Sequence, residues 1–284
     1  MRRFLYYIIT FPALALTGCG SSEPLDNIVM AEAPRMFNHV TRAGEETGRI
    51  YDDAAYYVVF DDDARTCTIT MSNLMYPGVD SPQTLVFEDV AWNYPVRQHD
   101  MRRIIDAESL VSEGVDSGVA IGNLKLVYIQ SNELASRQCE GLVVSFGIDG
   151  YHVTAYPYQV FAQGTTVVTD QADEDSRTRE AVDYDVSYAI SLMPRSNSAA
   201  IMIEQLDING DTERYELGHL DMKLTENGYE ISSKGDVLAS DHAVIKNFSG
   251  KADMLDELKV TFDITVGGVD YTVQSYLTPA YIKH

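Results

Sequence analysis

The residues best suited to chemistry lie in one short segment, residues 92–103, which contains the only tryptophan of the chain and a dense cluster of basic residues. The candidate ligand-binding side chains are Trp92, Tyr94, Arg97, His99, Arg102 and Arg103. Aromatic rings can stack on a sugar, and guanidinium groups can clamp a carboxylate. The segment therefore predicts a binding site for a glycan or a small apolar ligand.

A structural role for the same segment stays open. In that account Trp92 and Tyr94 close one end of a barrel. The arginines then form ion pairs with Asp100, Asp106 or Glu108, and the segment binds nothing.

Motifs for catalysis are missing from the sequence. It contains no Gly-x-Ser-x-Gly elbow, no His-Glu-x-x-His helix and no phosphate-binding glycine loop, and its six histidines have no metal-ligand spacing. Asp207 begins a stretch like a calcium loop, but Thr212 replaces its glycine and Gly218 its bidentate glutamate. Residues 207–211 are therefore interpreted as a hairpin turn. We predict a non-enzyme without metal or cofactor; a hydrolase with scattered carboxylates is the less favoured alternative.

Alternation of apolar and polar residues dominates the chain and predicts an all-β, mostly antiparallel fold. Residues 182–192 alternate without a fault. Two-residue hairpins are predicted at Asp149-Gly150, Asn209-Gly210 and Gly267-Gly268, because such turns need positive φ angles. At Gly218 the inward-facing set changes phase, which predicts a β-bulge.

The second half of the chain repeats the first. Residues 142–156 line up on residues 262–276 at an offset of 120, and Tyr57 matches Tyr188 when one gap is allowed. The repeat predicts two tandem, duplicated antiparallel units of eight strands each, as β-barrels or β-sandwiches. The first β-domain would span residues 36–161 and the second residues 162–284.

The N-terminus has the pattern of a secretory signal. Arg2 and Arg3 precede an apolar run that is too short for a membrane span. The run ends at Leu16-Thr17-Gly18-Cys19, which resembles the lipobox of bacterial lipoproteins. This resemblance implies a signal peptide over residues 1–18 and a lipid anchor on Cys19.

Residues 19–35 have the composition of an extended tether between the anchor and the first β-domain. Gly20 follows the lipidated cysteine, where an aspartate would favour retention in the inner membrane of enteric bacteria. The expected location is therefore the outer membrane, on its periplasmic or its cell-surface face.

Charge limits the partners. The chain carries 43 acidic and 21 basic residues and a formal net charge of −22. Such a surface repels phosphate backbones, so nucleic acid is excluded as a partner. The predicted partners are the membrane, through the lipid, and a glycan or small apolar ligand; the oligomeric state is open.

Two cysteines remain once Cys19 is assigned to the lipid. Cys67 and Cys139 are an even pair in a compartment that permits disulfides. Cys67 shares the inward parity of Ile69, whereas Cys139 is out of phase with Leu142 unless a bulge intervenes. A Cys67–Cys139 bridge and two free thiols therefore both stay open.

Taken together, the lipobox, the acidic tether and the tandem β-domains with Ile-x-Asn-(Leu/Phe) resemble Bacteroidales lipoproteins of unknown function. Some of those proteins carry calycin-like (lipocalin-like) barrel domains. The resemblance supplies no catalytic residues. The anchor, the two β-units and the absence of catalytic motifs lead us to expect a membrane-anchored, non-catalytic binding module of the cell envelope. The alternative is a structural or adhesive cell-surface or pilus-type subunit that assembles through exposed strand edges.

Overall fold

The computed structural model describes residues 36–43, 45, 48–94, 102–130, 139–172, 181–183, 186–208, 210–226, 228–253 and 257–279. These residues form two antiparallel sheets and one short 3₁₀ turn at Pro194–Ser196. The prediction of an all-β chain is confirmed. Within the described ranges, no helix has the length and apolar character needed to cross a membrane.

The first unit is an eight-stranded sheet. Its strands are β1 (Met36–Arg42), β2 (Arg49–Asp61), β3 (Thr66–Leu74), β4 (Gln83–Ala91), β5 (Arg102–Val111), β6 (Ala120–Gln130), β7 (Cys139–Ile148) and β8 (Tyr151–Pro157). Their order is β4-β3-β2-β1-β8-β7-β6-β5, so β1 and β8 are paired and the seam lies between β4 and β5. At the seam Asn93 and Ile104 exchange both backbone hydrogen bonds, at 2.8 and 2.7 Å. This is the order of an up-and-down barrel, which we call the first barrel.

The second unit repeats this order. Its strands are β9 (Gln159–Asp170), β10 (Ala181–Asp183), β11 (Ser187–Met193), β12 (Ser198–Ile208), β13 (Asp211–Leu224), β14 (Gly228–Ser232), β15 (Val237–Ser240), β16 (Ala243–Asp253), β17 (Leu258–Val266) and β18 (Val269–Pro279). Eight of them form the ring β9-β11-β12-β13-β14-β16-β17-β18, which the β18–β9 pairing closes. The short strands β10 and β15 extend this ring: β10 continues β11 along the same edge of β9, and β15 continues β14 along the same edge of β16. We call this ring the second barrel. Its first strand begins at Gln159, so the second sheet starts just before the predicted boundary after residue 161.

Side chains occupy the interior of both barrels. Alternation along each strand directs every second residue inward, and in β3 the inward residues Cys67, Ile69 and Met71 are at most 2% exposed. An eight-stranded ring is just wide enough for side chains to fill it. Large, fully buried side chains line both interiors: Tyr56, Phe87 and Phe146 in the first barrel, and Tyr188, Tyr215 and Phe262 in the second.

The two barrels share backbone irregularities as well as strand order. Left-handed φ angles recur in matching strands at three pairs of positions: Asn73 and Gln205, Asp89 and His219, and Asn123 and Asn247. Each residue lies at a register shift in the sheet. Such bulges bend strands and allow a sheet to close on itself. The bulge predicted at Gly218 is confirmed, because His219 beside it has a φ of 58°.

The predicted repeat is wrong at Tyr57. Tyr56, and not Tyr57, occupies the position of Tyr188, because Tyr56 faces Met71 as Tyr188 faces Ile203. Both rings are fully buried, so the match needs no gap once the inward parity of β2 is known.

The outer wall of the first barrel packs against one end of the second. Its outward-facing apolar side chains belong to the core cluster of the second barrel: Phe37, Val127, Val143 and Tyr156. The Tyr156 hydroxyl donates to the carbonyl oxygens of Thr225 and Gly228, at 2.8 and 2.9 Å. Its ring centroid lies 6.5 Å from that of Tyr229. This end of the second barrel is therefore covered by the first.

Buried tyrosines should make the protein sensitive to alkali. Burial raises the pKa of Tyr188 from 10.0 to about 12, and it also raises the pKa of Tyr56, Tyr156 and Tyr229. These phenols therefore ionise first in the unfolded chain, so their contribution to stability is complete below pH 10 and is lost as the pH rises toward the folded pKa. In that pH range, each such tyrosine lowers the free energy of unfolding by about 1.4 kcal/mol per pH unit.

We expect the urea midpoint to stay constant from neutral pH to the ordinary thiol pKa of 9.0, to begin to fall there because Cys67 is also buried, and to fall steeply above the ordinary tyrosine pKa of 10.0. Circular dichroism during urea titrations at increasing pH measures this. A Tyr188→Phe variant should show a shallower decline, because one ionising group is gone. A midpoint that stays constant well above that pKa would contradict the expectation.

Candidate functional site

Four of the six predicted ligand-binding residues are described, and they lie at one end of the first barrel. Trp92 directly follows β4, and Arg102 and Arg103 begin β5, so this segment spans the seam. Tyr94 lies between them and is 50% exposed. Two further candidates lie outside the described residues: Arg97 and His99.

Arg103 is buried against two neighbouring aromatic rings, those of Phe60 and Trp92, whose centroids lie 5.6 Å apart. It shares the inward parity of Ile105 in β5, and its guanidinium carbon lies 4.3 Å from the centroid of the Phe60 ring and 4.6 Å from that of Trp92. A cation over a ring face is attracted by the ring quadrupole, by about 0.5–2 kcal/mol. Trp92 packs edge-on against Phe60, and its Nε1 donates to the carbonyl oxygen of Thr66 at 3.1 Å. The structure thus holds the Arg103 side chain firmly in place.

The charge of Arg103 is only partly compensated. Its Nη2 lies 3.0 Å from Oδ1 of Asp62, in the turn between β2 and β3. The Arg103 side chain is 9% exposed and that of Asp62 is 52% exposed, so the pair joins a buried cation to a carboxylate at the surface. Among the described residues, Nε of Arg103 is buried without a hydrogen-bond partner. An unpaired buried donor costs about 1–3 kcal/mol, so the site has an unmet hydrogen bond.

Inward-facing neighbours complete this end of the barrel. Tyr128 in β6 lies opposite Arg103, and its ring centroid is 4.9 Å from that of Phe60. Cys67 in β3 lies opposite Phe60. We call the group the Arg103 cluster: Phe60, Asp62, Cys67, Trp92, Arg103 and Tyr128.

The structure places Trp92 as the structural account expects, and it gives Arg103 a partner that this account did not name. Asp100, one of the expected partners, lies outside the described residues. Trp92 is 2% exposed and helps to close the barrel end. Arg103, however, pairs with Asp62 and not with Asp106 or Glu108, whose side chains are exposed along β5.

Sequence reasoning missed the partners that come from other strands: Phe60, Asp62 and Tyr128. The parity of β5 was the available signal, because a strand that directs Ile105 inward also directs Arg103 inward.

Cys67 is a free, buried cysteine. Burial raises the pKa of its thiol to about 12, and the charge of Arg103 opposes this rise only in part. Cys67 is thus unbridged in this structure, as in the alternative of two free thiols, and the side chain of Cys139 lies outside the described residues.

We expect Cys67 to resist alkylation in the folded protein. At pH 8 the reactive thiolate is scarce because the thiol pKa is about 12. Iodoacetamide should therefore modify Cys67 quickly in urea and slowly in buffer. Mass spectrometry of the digested protein measures both rates on the same peptide, and rapid labelling of the folded protein would contradict the buried position.

The second barrel has an apolar layer where the first has the Arg103 cluster. Strand pairing matches Phe60, Cys67, Trp92, Arg103 and Tyr128 with Leu192, Ala199, Met222, Tyr229 and Ala252. Tyr229 takes the place of Arg103, and its ring faces Tyr156 of the first barrel. The cation is therefore peculiar to the first copy, and closing a barrel of this kind does not require it.

The acidic stretch near Asp207 forms a turn. β12 and β13 meet there, and the backbone N–H of Gly210 donates to the Asp207 carboxylate at 2.7 Å. Gly210 has a φ of 87°, as a two-residue hairpin requires. The hairpin interpretation is thus confirmed. In the described part of the chain, no group of three or more His, Cys, Asp or Glu side chains is arranged to hold a metal ion.

No protein-family model matches the chain. No curated protein matches it either. A function has to be argued from the Arg103 cluster itself.

Proposed function

We propose that the protein is a lipid-anchored, non-catalytic binding module of the cell envelope that takes a glycan or a small apolar ligand at the Arg103 end of the first barrel. The observation that carries the proposal is the buried Arg103, which packs against the rings of Phe60 and Trp92 and has an unpaired Nε. The lipobox-like sequence before Cys19 supports the anchor, and Gly20 supports the outer membrane.

The comparison between the two barrels supports this place for the site. The matching end of the second barrel binds the wall of the first through Tyr156 and Tyr229, so its apolar layer has a packing role. At the first barrel a half-exposed tyrosine, Tyr94, packs edge-on against Trp92, with ring centroids 4.9 Å apart. Aromatic walls with a few polar groups are typical of ligand sites in the mouths of small barrels.

Intrinsic fluorescence tests the proposal, because Trp92 is the only tryptophan of the chain. We expect at least one member of a panel of glycans and lipids to shift its emission. Tyr94→Ala should raise the Kd of that ligand about tenfold, which corresponds to a loss of about 1.4 kcal/mol in binding free energy. The matched control is Tyr276→Ala, which removes a half-exposed tyrosine from the second barrel. Silence across the whole panel would contradict the proposal.

The seam of the first barrel favours a second candidate, a structural subunit that pairs with other chains. Between the Asn93–Ile104 bridge and the hydrogen bond from Glu113 to Val86, no described residue of β4 pairs with β5. Such edges can accept a strand from another molecule. Sedimentation velocity tests this candidate: it requires oligomers that grow with concentration, and a strict monomer would exclude it.

A further inference from the structure

We infer that the ligand of the first barrel is an organic monocarboxylate, whose carboxylate binds Arg103 while its apolar body packs against the aromatic rings of the Arg103 cluster. The inference rests on the proposed function, and it names the class of ligand.

A barrel of this kind can close without a cation at the position of Arg103. At the matching position of the second barrel, Tyr229 is 1% exposed and closes the ring without a charge. Arg103 is 8% exposed, and burial of a cation is costly unless it is paired. A binding role for the charge explains why the first copy carries it.

Arg103 has a hydrogen-bond donor that no described residue uses. A guanidinium group has five N–H donors in a planar fork. Asp62 takes Nη2 of Arg103, whereas Nε stays buried without a partner. A carboxylate can accept two parallel N–H bonds from such a fork, so a carboxylate ligand would satisfy Nε. Asp62 lies in an exposed turn and can release Arg103 to the ligand, and it therefore acts as a competing counter-ion.

The acidic surroundings of the site limit the number of negative charges that the ligand can carry. Asp61, Asp62 and Asp63 form an exposed acidic turn beside the cluster, and this turn repels a polyanion. The neighbouring rings of Phe60 and Trp92 both contact the guanidinium and make its surroundings apolar. The combination fits one carboxylate on an apolar or aromatic body.

Titration of Trp92 emission with two isosteric probes tests the inference. The probes are 4-phenylbutyrate and its uncharged amide, 4-phenylbutyramide. We expect the wild-type full chain to bind the carboxylate at least tenfold more tightly than the amide. Arg103→Lys, which keeps the charge and loses the fork, should weaken carboxylate binding about tenfold and leave amide binding unchanged. Asp62→Asn should strengthen carboxylate binding several-fold, because the competing carboxylate is gone.

The control is Arg42→Met. Arg42 also lies over an aromatic ring, that of Tyr151, but at the opposite end of the first barrel, so its loss should change neither affinity. Circular dichroism verifies that each variant is folded. If Arg103→Lys does not fold, Asp62→Asn decides: tighter carboxylate binding supports the inference, and unchanged or weaker binding overturns it.

The outcomes separate the inference from the proposed function. Equal binding of the two probes, unaffected by Arg103→Lys, overturns the monocarboxylate and leaves a ligand site at this barrel end. Failure of both probes, together with silence of the glycan and lipid panel, overturns both.

Discussion

Replacement of Tyr156 with alanine is expected to lower the free energy of unfolding by about 3–5 kcal/mol, the usual cost of truncating a buried aromatic side chain. The Tyr156 ring is completely buried, stacks on Phe37 at 5.5 Å and belongs to the core cluster of the second barrel. Its loss also leaves the carbonyl oxygens of Thr225 and Gly228 without this donor. Because the side chain joins the two barrels, we expect a single cooperative transition to separate into two.

Urea unfolding followed by circular dichroism measures this effect. The chain offers a matched control in Tyr276, which holds the same position in β18 that Tyr156 holds in β8 and is 48% exposed. Tyr276→Ala should change the free energy of unfolding by no more than about 0.5 kcal/mol, as for most surface substitutions. Equal losses in the two variants would contradict the packed junction between the barrels.

The second large effect is expected for Gly164→Ala. A Cβ at Gly164 would clash with the Tyr276 carbonyl oxygen and lie 2.9 Å from Cα of Leu277. Both atoms are backbone atoms of β18, so the β9–β18 ladder that closes the second barrel would have to shift. Overpacking against side chains costs about 1–3 kcal/mol, and a backbone neighbour should bring the cost to the upper end of this range or above it.

Gly218→Ala is the control for this substitution, because a Cβ there meets nothing within 4 Å. Thermal unfolding of the two variants gives the comparison. We expect Gly164→Ala to lose several degrees in melting temperature and Gly218→Ala to stay close to wild type. An unchanged melting temperature for Gly164→Ala would show that the closing ladder is less tightly packed than described.

Local periodicity was enough to predict the strands and the tight turns. Val260, Phe262 and Ile264 alternate with polar residues because they lie on one face of the sheet. Gly267 and Gly268 have positive φ angles because they form the hairpin turn between β17 and β18. These properties depend only on residues that are neighbours in the chain, so they can be predicted from a single sequence.

Register was harder to predict, because it depends on pairing between strands. The gapless match at an offset of 120 is wrong in β7: the hairpin β17–β18 has two more residue pairs, Thr265–Asp270 and Val266–Val269, beyond the shared tyrosine. When these two extra pairs are left out of the alignment between the two copies, the interior residues of β7 correspond to the interior residues of β17.

The candidate site was predictable only along its own segment. The residue types of Trp92 and Arg103 were enough to predict them as candidates. Phe60 and Asp62 contact Arg103 only because the sheet brings distant strands together. The junction at Tyr156 was not predicted, because an outward-facing tyrosine in β8 looks the same in sequence as Tyr276 in β18. Which of the two is buried depends on how the barrels pack.

The most direct test of the binding role is native mass spectrometry of the full chain, purified in mild detergent from cells that produce it. The account predicts a small organic acid bound to the wild-type protein in about one-to-one ratio. It predicts that the bound fraction falls in Arg103→Lys and stays constant in Arg42→Met. A wild-type protein that carries no such molecule, and whose Trp92 emission responds to no probe, would contradict the account.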